Sequence, residues 1–98
     1  MANSLPIPDA ATRDPKAANI ASLWIAEGNL HCNINVGMFE GHPNVTETQA
    51  WGMILADFAR TVAQALVADG SVQESREDTI NRIWTAFHED MSNPATGR

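Results

Sequence analysis

Apolar and polar positions alternate on either side of Gly28 and Asn29 in "IASLWIAEGNLHCNINVGMF", residues 20–39. Alternation with period two around a glycine-bearing dipeptide predicts a β-hairpin, because glycine accepts the positive φ that a two-residue turn requires. With Gly28 and Asn29 as the turn, Glu27 pairs with Leu30. Ile25 then lies opposite Cys32, Leu23 opposite Ile34 and Ala21 opposite Val36, all on one apolar face. Trp24 opposite Asn33 and Ser22 opposite Asn35 share the other face.

The period changes to 3.6 in "VTETQAWGMILADFARTVAQALVADG". Thr46 with Gln49 three residues on is a capping box, and Gly70 is placed to stop the helix. Trp51, Ile54, Leu55, Phe58, Val62 and Leu66 form one stripe, and the small residues Gly52, Ala56, Ala59 and Ala63 form a second beside it. A helix apolar around more than half its circumference predicts covering on two sides, by a sheet and by another helix. Farther on, Ser71 with Glu74 repeats the capping pattern, and Ile80, Ile83, Trp84, Phe87 and Met91 trace a narrower stripe of a second, amphipathic helix. Arg76, Asp78, Arg82, Glu89 and Asp90 read as its solvated side.

The prolines support these limits. All five, at 6, 8, 15, 43 and 94, fall outside the patterned stretches, where they would break helix or ladder hydrogen bonds. The expected organisation is a flexible lead over residues 1–17, a single ββαα domain over 18–91 and a frayed tail over 92–98. The fold class is α+β: an antiparallel hairpin packed on two helices.

Ninety-eight residues allow one small core, and 44% apolar with 18% charged residues is ordinary for a globular chain. The formal charge of −6 removes whole classes of partner. Between residues 19 and 91, ten carboxylates face three arginines, so phosphate backbones and anionic membrane surfaces are repelled. No nucleic-acid or membrane partner is expected. The start, "MANSLPIPDAATRDP", has neither a basic opening nor an apolar run and predicts no signal peptide, and a lone cysteine suits a reducing, cytoplasmic location.

The fragment "LHCNINVGM" sets His31 beside Cys32, as part of a thiol or metal site would. Neighbours in a strand point to opposite faces, so the two cannot share one ion within a regular strand. Cys32 reads as a small core residue and His31 as a surface one. His42 and His88 lack CxxC, HxxxH or HExxH spacing to either, and neither GxGxxG, a Walker glycine loop nor GxSxG occurs. Glu77 with Asp78, and Glu89 with Asp90, are helix neighbours turned about 100° apart, a poor setting for an acid and base pair. No catalytic residue, metal or cofactor is expected.

The stretch "AWGMILADFARTVAQAL", preceded by "NVGMF" and followed by "INRIWTAFHED", resembles a family of small bacterial proteins classed as a domain of unknown function. The likeness spans residues 19–91 and is strongest from Ala50 to Arg60, with Trp51, Gly52, Asp57, Ala59 and Arg60 as landmarks. It implies no activity and carries no catalytic or cofactor residue with it.

Two surfaces remain as candidates. Ser22, Trp24, His31, Asn33 and Asn35 share the sheet face away from the helices, where an amphipathic indole among amides could hold a protein partner or a small planar ligand. Leu5 and Ile7 of the lead are the residues expected to cover it otherwise. Asp57 and Arg60, three apart, either pair locally or reach across an interface. Residues 19–26 carry no charge and no proline, and the second strand carries none until Glu40, so neither hairpin edge is protected. A two-stranded hairpin is also too small to stand alone. Pairing hairpins from two chains would give a four-stranded sheet in a homodimer. The expected function is a non-catalytic dimeric interaction or scaffold module; the alternative is a small-ligand-binding or regulatory protein using the Trp24 face.

Overall fold

Glu27 has φ 54° and Gly28 φ 80°. Positive φ at both central residues is the pattern of a type I′ turn, whose twist matches that of the strands it joins. The turn is therefore Glu27–Gly28, and it closes the antiparallel pair of β1, Ala21–Ala26, and β2, Asn29–Ile34. This corrects the expected register. Ala26 pairs with Asn29, Ile25 with Leu30, Leu23 with Cys32 and Ala21 with Ile34, a slip of two positions from the pairing that the Gly28–Asn29 turn would give. A slip of two preserves the faces, because the side-chain period is two. Trp24 consequently lies opposite His31, and Ser22 opposite Asn33.

The structure is a computed structural model that describes residues 5–94. The ends of the expected lead and tail, residues 1–4 and 95–98, lie outside the described residues. The elements form an α+β arrangement: α1, Asp9–Arg13; the β1–β2 hairpin; α2, Glu47–Asp69; and α3, Arg76–Ser92. Helix α1 falls inside the stretch read as a lead. Pro8 stands at its N-cap, where a missing N–H costs nothing, and Thr12 Oγ1 donates to the Asp9 carbonyl at 2.7 Å. A turn follows, with Pro15 inside it: the Ala17 amide donates to the Asp14 carbonyl at 3.0 Å and the Lys16 amide to Asp14 Oδ1 at 2.8 Å.

The chain divides between Val36 and Gly37 into two units. In the first, the hairpin is a two-stranded sheet. Its apolar face, including Cys32, is exposed, which corrects the reading of Cys32 as a core residue. In the second, α2 and α3 pack against one another. Helix α2 begins and ends as its sequence predicts. The Gln49 amide donates to Thr46 Oγ1 at 3.2 Å, the Thr46 amide donates to Gln49 Oε1 at 3.0 Å, and Gly70 takes φ 83° at the C-cap.

Helix α3 starts later than the Ser71/Glu74 pattern predicts. Its N-cap is Ser75, whose Oγ accepts the Asp78 amide at 3.1 Å. Ser71 is occupied elsewhere, its amide closing the C-terminal turn of α2 on the Leu66 carbonyl and its hydroxyl donating to Asp69. Of the hydrophobic side chains described, Ala63 and Ala50 are buried, and Thr79 of α3 is buried with its hydroxyl donating to the Ser75 carbonyl at 2.9 Å. The small-residue stripe of α2 thus supplies the enclosed contact at Ala63, while Gly52 and Ala56 of the same stripe are exposed.

Candidate functional site

Strand alternation puts Ser22, Trp24, His31 and Asn33 on one face, with Trp24 and His31 directly opposed. Asn35 lies just past the end of β2, its amide donating to the Ile20 carbonyl at 2.9 Å. Trp24 is 40% exposed, Ser22 is half-buried, and His31, Asn33 and Asn35 are exposed. The imidazole does not point freely outward. His31 Nε2–H donates to the Ala26 carbonyl at 2.9 Å, which turns the ring back toward the hairpin end. Beside this face, residues 5–8 and β1 border an open groove of about 680 Å³, to which Leu5, Ile7 and Trp24 all contribute. Leu5 and Ile7 are themselves exposed, so they border the groove and leave its mouth open.

Asp57 and Arg60 pair with each other at i, i+3 on α2, with the carboxylate largely exposed. An exposed pair of this kind contributes a few tenths of a kcal/mol.

Glu47 gathers a constellation that the sequence pattern does not single out. Its side chain is half-buried at the first turn of α2. Glu47 Oε2 accepts the Trp51 indole N–H at 2.8 Å and the Gly37 amide at 2.9 Å, and Oε1 accepts the Phe39 amide at 3.0 Å. Three N–H donors on one carboxylate favour its ionised form. They hold its pKa below the usual carboxylate value, the indole contributing most, against a smaller opposing effect of burial and with further help from the two amides. Phe39 completes the cluster, its ring edge-on to Trp51 with centroids 6.1 Å apart. The signal available in the sequence is an acid at the first helical position, a tryptophan one turn on and a glycine ten residues before the acid.

Helix α3 presents aromatic surface. Trp84 and Phe87 stack with centroids 6.0 Å apart, Trp84 and His88 lie tilted at 5.7 Å, and Met91 continues the stripe. At its start, Arg82 Nη1 donates to Glu74 Oε1 at 2.8 Å, and this carboxylate raises the arginine pKa. No group of three or more His, Cys, Asp or Glu side chains able to hold a metal ion occurs among the described residues. Among the same residues, no helix is long and apolar enough to cross a membrane.

The fold and these surfaces define a small α+β domain built from a hairpin unit and a helix-pair unit. Residues 4–95 match the family model Domain of unknown function (DUF5076), and the chain belongs to that family. A solved structure described as "a putative pyruvate dehydrogenase from the photosynthetic bacterium Rhodopseudomonas palustrus CGA009" is similar at a TM-score of 0.65 and 19% sequence identity, covering 96% of this chain and 88% of that one. At this identity the likeness is one of fold. No curated protein matches the chain.

Proposed function

We propose that this domain is a cytoplasmic, non-catalytic, homodimeric interaction module. The supporting observation is apolar side chains left in solvent on both units: Ile25 is 76% exposed on the hairpin, and Trp84 60% on α3. Exposed apolar surface of this kind favours association, because covering it removes it from water. The two-stranded sheet has two outer edges that pair with no further strand among the described residues, and a second copy supplies a matching edge. Light scattering of the purified chain at micromolar concentration tests the reading. A mass twice that of the chain is expected, and a monomer overturns it.

The groove bordered by Leu5, Ile7 and Trp24 favours a second reading, in which the Trp24 face with His31, Asn33 and Asn35 holds a small apolar ligand or serves a regulatory role. Titration of an apolar fluorescent probe into wild type and Trp24→Ala separates the two. Saturable binding lost in the variant, with unchanged mass, supports the ligand reading; equal behaviour of both proteins rejects it.

A further inference from the structure

The hairpin and α3 each carry an apolar face that is uncovered, and the two faces differ in charge setting. Leu23, Ile25, Leu30 and Ile34 lie on one side of the hairpin by register, each more than half exposed. Trp84, Phe87 and Met91 lie on one side of α3 by helical spacing, 46–70% exposed.

We infer that a second copy of this chain occupies both faces reciprocally, α3 of each copy seated on the apolar face of the other copy's hairpin. The inference rests on the dimer proposed above and specifies its contact. Exposed area and charge both select this occupant. Taking roughly 100 Å² of apolar surface for an aliphatic side chain and about 200 Å² for an aromatic one, the uncovered parts of these seven residues amount to roughly 500 Å² per copy. A reciprocal pair therefore buries on the order of 1,000 Å² before flanking atoms are counted, the least that a specific interface needs.

Charge differs sharply between the two units. Over residues 37–94, nine carboxylates against three arginines leave −6, whereas over residues 5–36 three carboxylates against Arg13 and Lys16 leave −1. Helix pair on helix pair would bring two strongly acidic units together. Helix pair on hairpin brings an acidic unit to a nearly neutral one, which is the arrangement of lower electrostatic cost.

Ile25→Asp and Trp84→Asp test the contact from its two sides. Each variant alone is expected to sediment as a monomer, with a helical circular-dichroism signal equal to that of wild type. A mixture of the two is expected to hold more heterodimer by native mass spectrometry than either variant alone holds homodimer, because one of its two contacts then joins unaltered faces. The chain's single thiol reports independently of hairpin folding. Cys32 lies on the hairpin face, and maleimide labelling of it is expected to quicken by about tenfold or more in Trp84→Asp, whose change is on the helix. A wild-type monomer overturns the dimer itself. A wild-type dimer that both variants retain, or whose mixed variants hold no more dimer than either variant alone, or in which Cys32 labelling is unchanged by Trp84→Asp, leaves the dimer standing and overturns the reciprocal contact.

Discussion

Trp51 donates its indole N–H to Glu47 one turn earlier on α2, at 2.8 Å, and the same carboxylate holds the amides of Gly37 and Phe39. One side chain thus fixes the loop of residues 37–45 to the start of the helix that follows it. The geometry explains an otherwise odd choice, a half-buried acid in a loop-to-helix junction: the carboxylate stands in for the backbone partners that the loop amides lack.

This clasp makes a pH prediction whose sign follows from the depressed pKa of Glu47. A carboxylate whose folded pKa lies below its unfolded value stabilises the fold fully above the unfolded value, about 4.3, and loses that contribution as pH falls through the folded value. Hydrogen exchange at the Gly37 and Phe39 amides is expected to be slow at neutral pH and to quicken, relative to other amides, below about pH 4. Glu47→Gln keeps the shape and removes the charge. Its melting temperature is expected to fall at pH 7 and to approach that of wild type in acid, and a constant gap between the two across pH would show that charge is not what holds the loop.

The two serines before α3 give a sharper local test. Ser75 accepts the Asp78 amide as N-cap, whereas Ser71 closes the end of α2. Ser75→Ala is expected to lower stability by about 1 kcal/mol, measured by urea unfolding. Ser71→Ala is expected to cost less, since the backbone bond from its amide to the Leu66 carbonyl survives the change. The reverse order would place the start of α3 where the sequence pattern first suggests.

The places where sequence reasoning succeeded and failed have a common physical reason. Helix α2 was legible from Thr46 to Gly70 because capping box, apolar stripe and glycine stop agree. For α3 two capping patterns compete, Ser71/Glu74 and Ser75/Asp78. The first is lost because Gly70 takes the left-handed conformation and commits Ser71 to the end of α2, a choice local patterns do not contain. In the hairpin the two faces were legible and the partners were not, since Gly28 serves either turn and only the φ of Glu27 decides between them. Ser22, Trp24, His31 and Asn33 could be grouped from alternation alone, but the bond from His31 to Ala26 depends on that same turn. Glu47 escapes the sequence pattern because two of its three donors are backbone amides, which leave no residue-type signature, and the third, the Trp51 indole, belongs to a residue that reads as part of the apolar stripe.

Glu27 is the described non-glycine residue with positive φ, and it holds the first central position of the turn. A glutamate there costs on the order of 1 kcal/mol relative to a residue that tolerates the left-handed region. Glu27→Asn creates the dipeptide that type I′ turns prefer, and a gain of about 0.5–1 kcal/mol is expected by thermal or urea unfolding. Asn29→Gly is the control. It would be the favourable change if the turn were Gly28–Asn29, and with Asn29 in β2 it is expected to weaken the strand instead.

Ala63 is the most enclosed hydrophobic residue described, with no exposed surface, on the helix that α3 packs against. Where no space remains, added carbons force neighbouring side chains off their preferred rotamers or push the helices apart. Ala63→Leu is therefore expected to destabilise by about 1–3 kcal/mol. Ala65→Leu, two residues on and exposed, adds the same atoms to the same helix and is expected to stay within about 0.5 kcal/mol of wild type. The pair separates close packing from helix propensity, because alanine and leucine are both strong helix formers. If both substitutions proved neutral in urea unfolding, the α2–α3 contact would not be the close-packed seam that the burial of Ala63 describes, and the small residues along α2 would need another explanation.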